Sequence, residues 1–126
     1  MENPGHFGRL GEAMAGNGDV AVIFANGRGE VCFWNAGAEA LFGHAVGDVA
    51  GQRIDIVVPH ALRDAHWAGF NRTIGSTWRG TGGWGPIEAL HKSGMPVALE
   101  VFLTPMNGVD GRVAGVMALF RRPVSP

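Results

Sequence analysis

Phe33-Trp34-Asn35-Ala36-Gly37-Ala38-Glu39-Ala40-Leu41-Phe42-Gly43 carries the chain from a strand into a helix and out again. Phe33 and Trp34 end a run of strand-forming residues, Glu30-Val31-Cys32-Phe33-Trp34. Asn35 has a side-chain oxygen suited to capping the free N–H groups of a helix start. Ala36 to Phe42 reads as that helix, with Glu39 on its early turns. Gly43 supplies the left-handed residue that ends it. Upstream, Val20-Ala21-Val22-Ile23-Phe24-Ala25 has the length and β-branching of a buried strand. Between the two runs, Asn26-Gly27-Arg28-Gly29 is a turn of residues that accept positive φ. Residues 20–34 therefore read as a hairpin that feeds a helix.

Downstream, a second short helical turn is expected around Val46 to Val49, broken by Gly51. Ile54-Asp55-Ile56-Val57-Val58 leads to Pro59, which sits well at or just before a helix start. The helix expected after it runs to about Ile74 or Gly75. Leu62, Ala65, His66, Gly69, Phe70 and Thr73 recur along it at spacings of three and four. They form one stripe, mostly apolar or small, with His66 in its middle. An imidazole turned toward a core either finds a hydrogen-bond partner or binds something. We read His66 as binding something and the surrounding chain as the pocket around it.

Gly75 to Gly85 holds five glycines with Trp78 and Trp84 among them, which predicts a mobile loop. Ile87–Lys92, Val97–Leu103 and Val113–Phe120 read as strands, with turns at Ser93-Gly94 and Asn107–Gly111. Strands joined by such short turns are antiparallel neighbours. The helical middle must cross from the first hairpin to the later strands and cover one sheet face. The expectation is an α+β fold: a five-stranded antiparallel sheet with short helices and one longer helix on one face, enclosing a pocket.

Composition narrows the function. The chain has 126 residues, which fits one domain: 1–17 as an N-terminal cap helix or tail, 18–122 as the body, 123–126 as a C-terminal tail. A net charge of −1 offers no broad basic face for nucleic acid or acidic lipid. The longest apolar runs are strand-length, so no membrane span is expected. Cys32 is the single cysteine, and no secretory signal is visible, which fits a cytoplasmic location. The five histidines lack His-Glu-x-x-His spacing, and Gly80-Thr81-Gly82-Gly83 lacks the lysine of a phosphate loop. No Gly-x-Ser-x-Gly is present. The chain is expected not to be an enzyme.

The order of elements resembles a PAS domain over about residues 18–122. The strand-to-helix segment 33–43 resembles the family's aromatic-Asn signature ending in Leu-Phe-Gly. Val46-Gly47-Asp48-Val49-Ala50-Gly51 resembles its acidic-x-x-Gly segment, and Lys92-Ser93-Gly94 its charged-polar-Gly hairpin. A narrower likeness lies in Arg53 to Pro59 followed by Leu62-Arg63-Asp64-Ala65-His66. This run is similar to haem-PAS domains of oxygen-sensing histidine kinases and cyclic-di-GMP phosphodiesterases. The resemblance implies haem b held through His66, with Arg72 near a propionate and with Val101 and Leu103 crowding a bound gas. Leu62, Phe70, Ile87 and Val116 complete the expected apolar lining. The second ring nitrogen of His66 would need a partner: a backbone carbonyl, a water or Asp64.

Those sensors carry an Arg, or a Met near an Arg, after the Gly-rich loop. This chain has Gly83-Trp84-Gly85-Pro86 there. Trp84, with its indole N–H, is the expected substitute donor. Met95, Met106 and Met117 are further candidate sixth ligands. No Asn-Cys-Arg-Phe segment surrounds Cys32, unlike flavin-photoadduct PAS domains. The expected function is a haem-b sensor of O2, CO or NO that signals by conformational change to a homodimer mate or a downstream signalling domain. The alternative is a haem-free PAS module for dimerisation or small-ligand binding.

Overall fold

The computed structural model describes residues 20–123. The expected cap helix at 1–17 and the tail beyond 123 lie outside the described residues. Strand β1, Ala21–Asn26, and strand β2, Val31–Trp34, form the first hairpin. Asn26 builds its turn: Oδ1 accepts from the N–H groups of Arg28 and Glu30, each at 3.0 Å. Gly29, at φ 76°, completes the turn in a conformation that side chains disfavour.

Helix α1, Ala36–Phe42, has the bounds its caps predict. The buried Asn35 side chain accepts from the N–H of Ala38 at 2.9 Å and from that of Val22 at 2.8 Å. Its amide donates to the Val20 carbonyl at 2.9 Å. One residue thus caps α1 and fixes α1 to β1. Gly43, at φ 82°, closes the helix by donating to the Glu39 carbonyl. Phe42 is fully buried, packed edge-on against Phe120 at 5.1 Å between ring centres.

Helix α2, Val46–Val49, follows, then 3-10 turns at Ile54–Val57 and His60–Leu62. Helix α3, Arg63–Thr73, therefore starts four residues after Pro59 rather than beside it. The first turn tightens to 3-10 geometry because Pro59 has extended backbone, at ψ 140°. Residues 51–54 are stitched to the first hairpin. Gly51 donates to the Val31 carbonyl, Val31 to that of Gln52, and Ile54 to that of Gly29.

Strands β3, Gly85–Leu90, β4, Pro96–Asn107, and β5, Val113–Arg121, complete one antiparallel sheet in the order β2-β1-β5-β4-β3. β4 outruns its expected end because beyond Val101 it pairs on one side only, so Pro105 breaks no bond there. Alternation sends Ile23, Ala25, Val101, Leu103, Ala118 and Phe120 to the helical side. Phe24, Phe33, Phe102 and Leu119 take the other face, where Phe24 meets Phe33 at 5.0 Å. No helix among the described residues is long and apolar enough to cross a membrane.

Candidate ligand pocket

A cavity of about 720 Å³ separates α3 from the inner sheet face. Its sheet wall is mostly aliphatic, from Ile23, Ala25, Val101, Leu103, Val116 and Ala118, with Phe120 and Glu88 as the exceptions. The opposite wall is the stripe read from the sequence, Leu62, Ala65, His66, Gly69, Phe70 and Thr73. The stripe was expected to face a core, yet no residue of α3 is buried. Leu62 and Ile87, both lining residues, are 45% and 37% exposed. The apolar side chains of the helix thus meet open space where packing atoms would ordinarily be.

His66 lies in this wall, its ring edge-on to Trp67 at 4.7 Å and tilted over Phe70 at 6.1 Å. Its Nδ1 is buried and has no hydrogen-bond partner. Such an atom in an apolar site is costly and calls for a function. Burial pushes the His66 pKa below its ordinary 6.5; Asp55 opposes that shift and Arg53 adds to it. The imidazole is therefore neutral at pH 7. Asp64, one of three candidate partners for the ring beside a backbone carbonyl and a water, is exposed and makes no bond to His66; the carboxylate that acts on the ring is Asp55.

The lowered pKa sets a stability prediction with a definite sign. Above pH 6.5 the ring is neutral in both states and adds nothing. Below it the unfolded chain takes up a proton that the folded one resists, so stability falls as pH drops through the lowered folded value. His44, also lowered by burial, adds to the same slope. Urea midpoints measured from pH 7.5 to 5 should decline in the wild type and decline less in His66→Ala.

Arg72 lines the pocket from the last turn of α3, is exposed, and forms no ion pair among the described residues. It is placed to meet a carboxylate on a bound molecule. Ile87, Val101, Leu103 and Val116 all line the pocket as expected. Trp84 does not. It packs on Phe102 at 5.9 Å, under the Arg121 guanidinium at 4.0 Å, on the outer sheet face. The pairing of Gly85 with Val101 and of Pro86 with Glu100 sets this side. Met95, Met106 and Met117 are also absent from the lining, and so is Cys32, which is exposed on β2.

The loop between α3 and β3, expected to be mobile, is tied down at two points. Gly75 donates to the Val113 carbonyl at 2.8 Å, and Val113 returns a bond to Ser76 at 2.9 Å. Thr81 donates to the Leu103 carbonyl at 3.0 Å, while the Leu103 N–H donates to Thr81 Oγ1 at 3.1 Å. Gly80 permits this approach, since a Cβ there would stand 2.8 Å from that carbonyl oxygen. Ser76, Trp78 and Thr81 consequently line the pocket, which no periodicity in the loop announces. No group of three His, Cys, Asp or Glu fit for a metal ion occurs among the described residues.

Comparison with known proteins identifies the scaffold. A PAS domain from Colwellia psychrerythraea shares 23% identity, covering 94% of this chain and 97% of that one, with a TM-score of 0.70. The PAS domain of BvgS from Bordetella pertussis shares 12%, covering 96% and 88%, with a TM-score of 0.71. A LOV protein from Rhodobacter sphaeroides shares 13%, covering 94% and 67%, with a TM-score of 0.69. At these identities the likeness is one of fold. The search of curated proteins gives no match. The family model described as the PAS fold matches residues 9–123, and the chain, with its five-stranded sheet and helical cover, belongs to the PAS family.

Proposed function

We propose that this PAS domain is a sensor that holds haem b through His66 and responds to a diatomic gas, O2, CO or NO. The observation that carries the reading is a neutral imidazole, one nitrogen buried and unpartnered, in the wall of an apolar cavity of about 720 Å³. That volume lies within the range of cofactor and ligand sites. Among the described residues, His66 is the only His, Cys or Met in the lining. When bound, haem supplies an iron position at which such a gas coordinates. Arg72 would meet a propionate, and Ile23, Val101, Leu103 and Ala118 would exclude water from the sheet side. Strain at Leu103 passes to Thr81 and the loop, and from there to an adjoining domain or partner chain. The domain itself carries no catalytic role in this reading. A thiol adduct to a ligand, as flavin photochemistry would need, has no cysteine in the lining to draw on.

The test is a titration of purified protein with haem. A saturable Soret band supports the reading, and protein that stays colourless overturns it. Ala118→Phe serves as a second probe. Its ring would occupy the cavity from the central strand β5, so haem uptake should disappear. Urea unfolding of the ligand-free variant should show a gain of about 1–2 kcal/mol from the added buried area.

A haem-free association module is the second reading, favoured by the outer sheet face. Phe24, Phe33, Trp84 and Phe102 stand there half-buried. Sedimentation of colourless protein as a homodimer that Phe102→Glu dissolves would favour it.

A further inference from the structure

Helix α3 is held by Trp67 and Phe70, which pack partly buried against the core, and by the Arg63 Nε bond to the Val58 carbonyl at 3.0 Å. None of its residues is fully buried, and His66 makes no hydrogen bond through its buried nitrogen. The position of the His66 ring must therefore be set by its neighbours, of which the next residue in the chain is one.

Trp67 is gripped from three directions. Its indole N–H donates to Asp55 Oδ2 at 3.1 Å. The Arg53 guanidinium stacks over its ring at 3.8 Å from the centre. The far edge of the ring lies against Gly29, where a Cβ would stand 2.4 Å from two ring carbons. Gly29 belongs to the β1–β2 turn. Arg53 and Asp55 belong to the segment stitched to it through the Glu30–Arg53 bridge and the bond from Ile54 to the Gly29 carbonyl at 2.7 Å. The clamp is thus anchored in the sheet frame. Trp67 in turn packs edge-on to His66 at 4.7 Å and to Phe70 at 5.4 Å, the two aromatic rings that α3 shows the cavity.

We propose that Trp67, held by Asp55, Arg53 and Gly29, is a positioning residue that sets where the His66 imidazole stands across the pocket. The inference rests on the haem reading for its consequence but not for its geometry. Trp67 lines no part of the cavity, so its influence runs through His66. Ligand-orienting groups of this kind change metal affinity by about 10–100-fold when removed.

The experiment compares Trp67→Phe, Asp55→Ala and the exposed control Asp64→Asn in two measurements. In ligand-free protein, amide hydrogen exchange over Ala68–Thr73 should quicken at least tenfold in Trp67→Phe, while exchange in β1 and β5 stays as in the wild type. In haem-loaded protein, resonance Raman of the ferrous form should show the iron–histidine stretch shifted or broadened in Trp67→Phe and Asp55→Ala. Haem affinity should fall about 10–100-fold in both, and Asp64→Asn should change neither quantity. Unaltered exchange in α3 overturns the clamp, whatever the protein does with haem. An iron–histidine band unaltered in both variants overturns the positioning role even if exchange quickens. A colourless wild type with quickened α3 exchange in Trp67→Phe would sink the haem reading and keep the clamp.

Discussion

His66→Ala should lose haem binding by more than about 100-fold while the ligand-free domain stays folded and about as stable as the wild type. The first part follows from removal of the one imidazole in the lining among the described residues: loss of a ligand exceeds the 10–100-fold typical for loss of its outer partners. The second part separates this histidine from an ordinary core histidine. A structural buried histidine satisfies its nitrogens, and truncation strands the partners at about 1–3 kcal/mol each. His66 Nδ1 has no partner to strand. Alanine also has the best helix propensity, on a helix with no buried residue. Absorption spectra after haem titration and urea midpoints above pH 6.5 check both halves. Equal loss of colour and of stability would make His66 a packing residue. Colour retained in the variant would move the iron ligand elsewhere.

Asn35→Ala is expected to cost about 2–4 kcal/mol. Loss of a helix cap alone is worth about 1 kcal/mol. Here the same oxygen also accepts from the buried Val22 N–H in β1, so truncation leaves two donors to be satisfied at once. Asn35→Asp sharpens the test. By cap preference the two residues are nearly equal. In this fold the Asn35 amide donates to the Val20 carbonyl, so a carboxylate would set oxygen against oxygen at a site only 2% exposed. Asp should therefore not rescue Ala, and Asn35→Ser should recover part of the loss. Denaturant midpoints with unchanged m-values are the measurement. An Asp variant as stable as the wild type would reduce Asn35 to a simple cap.

The residues that were legible in advance are those whose role is local. Asn35 and Gly43 bracket α1, and the cap chemistry of each is set by its immediate neighbours. The stripe from Leu62 to Thr73 was readable because helical spacing alone decides which side chains share a face. What faces that stripe was not: the spacing is the same for a helix seated on a core and for one standing off across a cavity. Trp84 marks the other limit. Its side of the sheet depends on the pairing of Gly85 with Val101, a contact between distant residues, and a loop before a strand gives no parity to extrapolate. Trp78 entered the pocket by the same non-local route, through Thr81 and Leu103. The Trp67 clamp needs Gly29, far upstream, to offer no side chain.

The order β2-β1-β5-β4-β3 places the first and last strands side by side, with Ala21 opposite Phe120. The incoming and outgoing backbone therefore leave the sheet as a pair. A twist of β5 against β1, of the sort a guest beneath Ala118 and Ile23 would impose, reaches both flanks together. A small rotation between these neighbouring strands would therefore carry Ala21 and Phe120 with it as one unit.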